Sequence, residues 1–336
     1  MPRKTIDDVA ALAGVSIKTV SRVMNLEKGV RPATRERVEA AMAELNYQPS
    51  LPARSLAGGR SNLIGLVYEN PSANYVFNVQ TGAIAKCRDL GIRLFLQSCN
   101  DLGDRLIEEV LAVVDQTHVD GLVITPPVSA NHDLIRSLDA RGVTFVRMAP
   151  DDFIHGSPVV EIDDEAAARE MTAYLLALGH RRIGFIAGRP DHFSSRLRLK
   201  GFREEMRAWG IDPAAGSIEQ GVNDHQSGLE AARRMLASSS RPTAIFASND
   251  DMAAGPIVAA HELGIDIPDE LSIAGFDDTQ VAAIVWPTLT TIHQPVYDMA
   301  FAATGLLIDL VKGLEVPQVT KLGYRMVRRA STAPPA

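Results

Sequence analysis

The chain has 336 residues, 46% of them hydrophobic and 22% charged, with a net charge of −7. That is enough for two or three domains with their own cores, and it excludes a disordered or low-complexity chain. Two cysteines, Cys87 and Cys99, are too few for a disulfide framework or a cysteine-based zinc site. The opening MPRKTIDDVA has no apolar signal core, and no run approaches the roughly 18 apolar residues of a membrane span. A cytoplasmic protein with no membrane partner is expected. The charge is uneven: residues 1–60 hold ten Lys/Arg against six Asp/Glu, whereas the remainder holds 24 against 35. A basic block on an acidic body marks the block as the part suited to a polyanion, although a solvated charged face gives the same count.

In chain order, Thr5 is placed to cap a first helix, with Asp7 and Asp8 near its positive end. Ile6, Val9, Ala10 and Ala13 recur at helical spacing, and Gly14 ends the helix. Ser16 caps a second helix from Ile17 to about Met24. A third runs from Pro32 to Leu45, with Val38, Met42 and Leu45 inward and Arg31 where a small polar cap is usual. Residues 49–61, PSLPARSLAGGRS, are too short for a core and read as a linker with at most two helical turns. After residue 62, LIGLVY, RLFLQS, GLVIT, TFVRM, VVEI, RIGFIAG, TAIFAS, LSIAGF and LTTI read as buried strands. Helical patterns separate most of them, which predicts an α/β body with two largely parallel, doubly wound sheets. The closing STAPPA reads as a frayed tail.

The first two helices and their glycine turn form a helix-turn-helix, which presents its second helix to the major groove of DNA. Val20, Val23 and Met24 face inward, leaving Ile17, Lys18, Ser21 and Arg22 on other faces. Lys and Arg match the N7 and O6 acceptors of guanine, and Ile17 suits a thymine methyl. Ser16, Thr19, Ser21 and backbone amides suit phosphates. A generic three-helix fold without a ligand would show the same elements. The wording decides between them: TIDDVAALAGVSIKTVSRVMN and VEAAMAELNYQP strongly resemble the DNA-binding headpiece of the lactose-repressor family of bacterial transcription regulators. RSLAGGRSNLIGLV is similar to that family's hinge helix and first core strand. LGHRRIGFIAG, RLRLKGF, PTAIFASNDDMAAG, ELSIAGFDD and PTLTTIHQP match its core landmarks in order, so the resemblance covers essentially the whole chain.

The resemblance implies a helix-turn-helix domain over 1–48, a hinge over 49–61 and a two-lobed periplasmic-binding-protein type I core over 62–336. Lobe one would take about 62–161 and 291–323, and lobe two about 162–290 and 324–330. It implies DNA contacts from Thr5, Ser16, Ile17, Lys18, Thr19, Ser21, Arg22 and Asn25. Leu56, beside Ser55 and Ala57, would wedge into the minor groove of a bent operator. A homodimer on double-stranded, pseudo-palindromic operator DNA with a central CG step is implied. No apolar heptad repeat follows YRMVRRA, so the family's tetramerising tail is not expected. Effector contacts would come from Asn74, Tyr75, Phe77, Thr125, Arg198, Asn223, Asn249, Asp277 and Gln294. No catalytic residue, cofactor or metal is implied.

Asp, Asn and Arg hydrogen-bond hydroxyls in bidentate fashion and an aromatic covers a ring face, so this set suits a sugar. Bland roles stand beside it: Asn249 and Asp277 as helix or turn caps, Tyr75 and Phe77 as core aromatics, Arg198 as a solvated helix residue. Ala149 stands where sugar-binding relatives place an aspartate, with Asp151 or Asp152 as substitutes. His180 reads as structural, and His155, His192 and His225 form no metal-ligand spacing with nearby acids. YENPSANYVFNVQTGA and IVWPTLTTI resemble most the regulators of aryl-β-glucoside (salicin) or oligosaccharide use, and a purine or nucleoside effector is the alternative. A glycoside-acting enzyme would use Asp250-Asp251 or Asp277-Asp278, yet no nucleophile elbow, phosphate loop or dinucleotide fingerprint accompanies them. A sugar-transport binding protein shares the core fold but has no use for a DNA head.

Overall fold

The computed structural model describes residues 4–24, 29–47, 61–99, 103, 105–151, 157–213 and 217–336. Its contacts divide into two units, Met1–Leu63 with His118–Asp120 and Ile64–Thr117 with Gly121–Ala336. The first holds α1 (Ile6–Ala13), α2 (Ile17–Met24) and α3 (Pro32–Glu44). Thr5 and Asp8 form a reciprocal capping box at the start of α1: the Thr5 backbone N–H donates to the Asp8 carboxylate at 2.8 Å, and the Asp8 N–H to Thr5 Oγ1 at 3.4 Å. Gly14 closes α1 at a φ of 64°, in the left-handed region that glycine adopts without a Cβ clash. Ser16 Oγ accepts the Thr19 N–H at 3.2 Å and so caps α2. Arg31 makes no side-chain cap bond, and Pro32 stands in the first turn of α3. Val9, Ala10, Ala13, Val20, Val23, Val38, Ala41 and Tyr47 form the core. On α3 the small Ala41 is buried beside Val38, while Met42 and Leu45 are half-buried at its margin, a rotation from the expected inward set.

The second unit is built on β1 (Leu63–Tyr68), β2 (Arg93–Ser98), β3 (Leu122–Ile124), β4 (Phe145–Met148), β5 (Val159–Glu161), β6 (Ile183–Ala187), β7 (Ile218–Gln220), β8 (Ala244–Ala247), β9 (Ser272–Ala274), β10 (Thr291–His293), β11 (Val319–Lys321) and β12 (Arg325–Val327). One sheet runs β11-β5-β4-β3-β1-β2 and another β7-β6-β8-β9, while β10 and β12 form a two-stranded pair. The β1–β3, β3–β4, β4–β5 and β5–β11 ladders are parallel, as is every ladder of the four-stranded sheet. The β10–β12 pair is antiparallel. The helices are α4 (Ala73–Asp89), α5 (Arg105–Thr117), α6 (His132–Ala140), α7 (Asp164–Ala177), α8 (Phe193–Ala208), α9 (His225–Leu236), α10 (Asp250–Leu263), α11 (Gln280–Ile284) and α12 (Val296–Val311). α7 packs on α8, α9 on α10 and α4 on α12, sealing apolar strands such as β3 and β6, which are buried throughout. Phe185 on β6 stacks on Phe202 at 4.8 Å and meets Phe246 edge-on at 5.2 Å.

Two further expectations need correction. RLFLQS forms β2, but as an edge strand with Arg93, Leu96 and Ser98 exposed, because it has a neighbour on one side only. STAPPA is not frayed. Ser331 is fully buried, its Oγ donating to the Ile273 carbonyl at 2.6 Å and accepting the Thr290 N–H at 2.8 Å. His180, buried as a structural residue, holds the Ala333 carbonyl at 2.9 Å and Thr243 Oγ1 at 3.0 Å, so the last residues complete the hydrogen bonding around the four-stranded sheet. No helix among the described residues is long and apolar enough to cross a membrane.

Candidate functional site

In the first unit, α2 buries Val20 and Val23 and turns its other faces outward. Ser16, Ile17 and Lys18 are exposed at its start, and Thr19, Ser21 and Arg22 are half-buried along it. Ile17 is 47% exposed on a helix whose valines are buried, which leaves an apolar contact surface beside Lys18. Thr5 and Ser16 are exposed but spend their hydroxyls on caps, and Ser16 Oγ also lies 2.9 Å from Thr19 Oγ1. Arg35 Nη1 donates to the Val23 carbonyl at 3.3 Å, closing the carbonyl end of α2. The helix start is the part that recognition helices bring to base edges, and Ile17 and Lys18 occupy it. Asn25, Leu56 and Ala57 lie outside the described residues.

In the second unit, a cavity is lined by Asn70, Ser72, Tyr75, Pro126, His192, Ser194, Ser195, Arg198, Asn223, Asn249, Asp277 and Gln294. Most of these follow the carboxyl ends of strands: Asn70 after β1, Pro126 after β3, His192 after β6, Asn223 after β7, Asn249 after β8, Asp277 after β9 and Gln294 after β10. Open α/β sheets form their binding crevices at that end. Both sheets therefore contribute to the cavity.

Arg198 is the hub. Its Nε donates to Asp164 at 2.7 Å, Nη1 to the Ser248 carbonyl at 2.6 Å and to Asp277 at 3.4 Å, and Nη2 to Gln294 Oε1 at 3.0 Å. Its guanidinium lies 3.6 Å from the centroid of the Phe276 ring. Burial pushes the Asp277 carboxyl up to about 7 against the pull of Arg198, and raises Asp164 for the same reason. Asp277 holds a φ of 107°, a strained value for a non-glycine residue that lines the cavity. Burial likewise raises the Tyr75 hydroxyl. Asn249 Oδ1 caps α10 by accepting the Met252 N–H at 2.9 Å, and its Nδ2 donates to the Asn223 carbonyl at 3.0 Å, so it is both cap and cavity wall. Arg189 joins the strand ends of the two sheets, pairing with Glu69 at 2.9 Å and Asp191 at 2.6 Å.

The structure thus brings Tyr75, Arg198, Asn223, Asn249, Asp277 and Gln294 together. It places Asn74, Phe77 and Thr125 outside the lining: the Asn74 carbonyl accepts from Asn78, Phe77 is 64% exposed, and Thr125 is buried with its hydroxyl 3.4 Å from the Val67 carbonyl. Asp151 pairs with His132 at 3.1 Å and Arg196 at 3.7 Å and is not among the residues lining this cavity. Asp152 and His155 lie outside the described residues. Sequence reasoning missed Asn70, Ser72, Pro126, His192, Ser194 and Ser195 as cavity residues; Asn70 and Pro126 stand just after strand ends, whereas Ser194 and Ser195 lie in the first turn of α8. Asp250 and Asp278 are occupied structurally. Asp250 accepts from Thr279 N at 2.7 Å and Thr291 Oγ1 at 2.6 Å, while Asp278 accepts from Arg329 at 2.6 Å and lies 3.0 Å from His293. Among the described residues no cluster of three or more His, Cys, Asp or Glu is arranged to hold a metal.

Comparison with known proteins agrees with this layout. Residues 5–50 match the family of bacterial regulatory proteins of the lacI type, and residues 172–332 match a periplasmic binding protein-like domain. The chain is 34% identical over 310 residues to the ribose operon repressor of Escherichia coli (strain K12), covering 91% of this chain and 93% of the relative. It is 36% identical over 336 residues to the transcriptional repressor PurR of Proteus mirabilis (strain HI4320), covering 98% and 97%. Among solved structures, the lac repressor dimer bound to operator and the anti-inducer ONPF superposes with a TM-score of 0.86 at 31% identity, covering 98% of this chain and 99% of that one. Family match, relatives and fold converge: the chain belongs to the lacI family of bacterial regulatory proteins, DNA-binding transcriptional regulators with a helix-turn-helix head and a periplasmic-binding-like core.

Proposed function

We propose that the protein is a homodimeric repressor whose affinity for a pseudo-palindromic operator is controlled by a small sugar bound around Arg198. The observation that carries the sugar reading is the convergence of Arg198, Asp277, Asn249, Asn223 and Gln294 with Tyr75, a set of bidentate donors and acceptors beside one aromatic. Because strand ends of both sheets line the cavity, occupancy is coupled to the arrangement of the core. An effector that prefers one arrangement shifts operator affinity by that preference, and operator shifts effector affinity equally. Lys18 and Arg22 read base edges, with Asn25 and the Leu56–Ala57 hinge completing the DNA contact at a central CG step. The core lobes divide near residues 161, 290 and 324. Exposed apolar side chains on α4, Phe77 and Ile84, and at Trp286, which is 78% exposed, supply surface for a second copy.

Aryl-β-glucosides and oligosaccharides are the first sugars to test. A purine or nucleoside, as effector or corepressor, is the second reading. Thermal shift of the purified protein against sugars, β-glucosides and purines separates them: a ligand at a hundredfold its Kd stabilises by about 2.7 kcal/mol. A shift confined to sugars and lost in Asp277→Ala supports the first reading. A shift with purines alone refutes it.

A further inference from the structure

The second unit holds another cavity, of about 240 Å³, at the opposite edge of the four-stranded sheet from the one around Arg198. Ile183 opens β6, Ser217 stands just before β7 and Pro242 two residues before β8. This cavity therefore gathers at the amino ends of strands whose carboxyl ends lead to the other one. α8 and α9 end beside it and contribute Met206 and Met235. Its floor is apolar: Ile183, Met206 and Met235 are buried, with Ile211 and Pro242 half-buried around them. Gly184 lets that floor lie close on the sheet, since a Cβ there would stand 2.9 Å from the Met235 sulfur and 3.4 Å from Pro242 Cγ. Apolar cavities of roughly 150 Å³ take up benzene, so this one has room for an aromatic ring, and thioether sulfurs favour contact with one.

The charges around the floor do not cancel. Of the two acids there, Glu219 accepts from Arg234 Nε at 2.7 Å and Asp212 lies 3.9 Å from Arg207. Arg181 and Arg182 are bonded only to carbonyls: Arg181 Nη1 donates to those of Leu176 and His180 at 2.8 and 2.9 Å, and Arg182 Nε to that of Arg241 at 3.2 Å. The Arg181 guanidinium also lies 5.3 Å from the centroid of the Trp209 ring. Neither pairs with a carboxylate among the described residues, and both are exposed, which places two uncompensated positive charges at the mouth of an apolar basin. The carboxyl ends of α8 and α9 carry only about half a charge each, so the guanidiniums set the sign.

We infer that this cavity is a second small-molecule site, which takes an aromatic monocarboxylate, its ring against Met206 and Met235 and its carboxylate held by Arg181 and Arg182. Each half of the ligand answers one half of the site. A neutral ring forgoes the charge-assisted hydrogen bonds, and a small polar acid leaves the methionine floor uncovered. The site is separate from the cavity around Arg198 and does not depend on which effector that cavity binds.

The test titrates the full chain by calorimetry with benzoate, phenylacetate, neutral benzamide and acetate at physiological salt. Benzoate or phenylacetate should bind with a dissociation constant of about 1 mM or below, and benzamide and acetate about tenfold more weakly or worse. Arg182→Gln changes an exposed side chain, and circular dichroism checks that the fold is kept. It should weaken carboxylate binding about ten- to a hundredfold, and Arg182→Lys should recover part of the loss. Crystals soaked in 4-bromobenzoate should show the anomalous signal of bromine against Met206 and Met235. Equal affinity for benzoate and benzamide, or a benzoate affinity that Arg182→Gln leaves unchanged, overturns the inference. So does bromine found only around Arg198, or no solution binding at about 10 mM. If no carboxylate binds and Arg182→Gln changes the assembly state in sedimentation, the basin belongs to a second copy of the chain and the inference falls.

Discussion

Replacing Arg198 by methionine keeps much of the side-chain volume and removes the charge at the centre of the cavity. The guanidinium is 7% exposed, and its partners Asp164 and Asp277 are 3% and 10% exposed. The variant leaves two carboxylates buried without a cation, and it frees the Ser248 carbonyl and Gln294 Oε1 of their donor. Breaking a buried pair by removing one partner costs about 3–5 kcal/mol, because the remaining charge is uncompensated. Protonation relieves part of that cost, and burial already raises both carboxyls. The loss should therefore be largest near pH 8 and smaller near pH 5. Urea unfolding followed by far-UV circular dichroism at the two pH values measures it. Adding Asp164→Asn and Asp277→Asn to Arg198→Met should recover most of the loss at pH 8, since no buried charge is then unpaired. A single variant within about 0.5 kcal/mol of the natural protein at pH 8, or a triple variant no more stable than the single, would refute the reasoning.

Four further predictions concern Asp277 and the head. The Asp277 carboxyl sits near 7 in the fold against an ordinary value of 3.8, so between those values the folded state holds a proton that the unfolded state has lost. Its contribution to stability therefore falls as pH rises from about 4 to 7, and Asp277→Asn should flatten that slope in denaturation curves across this range. If the effector binds the Asp277 carboxylate, affinity should rise by up to about tenfold per pH unit below pH 7 and level off above it, and calorimetry in two buffers should show proton release. Thr5→Ala removes the cap hydroxyl of α1 and should cost about 1 kcal/mol in the thermal unfolding of the head. Lys18→Ala should weaken binding to a selected operator by about 1–3 kcal/mol per half-site while changing random-DNA affinity little; equal losses on both would assign Lys18 to phosphates alone.

The head is legible almost residue by residue, because its signals are local. Thr5 and Asp8, Gly14, Ser16 and the apolar spacing of Val9, Ala13, Val20 and Val23 each act within a few positions of chain. Long apolar strands such as LIGLVY are equally clear. The strands β7, β11 and β12 are not: unlike the equally short β3 and β9, they lack a buried apolar run, and they exist through partners distant in sequence. The exposure of β2 and the anchoring of Ser331 have the same origin: both depend on which neighbour the sheet supplies. In the cavity, Arg198, Asn249, Asp277 and Gln294 are recognisable through motif wording rather than physics. His192 carries no site signal in the sequence, where it lacks metal-ligand spacing, because its contact with Asn223 comes only through tertiary structure.

The most direct test of DNA recognition under effector control is selection from random duplex DNA by the purified full chain, followed by titration of the winning sequence with and without the sugar panel. The expected winner is a pseudo-palindrome of two half-sites, bound at least about a thousandfold more tightly than random DNA at physiological salt. One sugar should shift that affinity and leave random-DNA binding unchanged. Enrichment of no sequence, or an operator affinity that every sugar leaves untouched while a purine moves it, would contradict it.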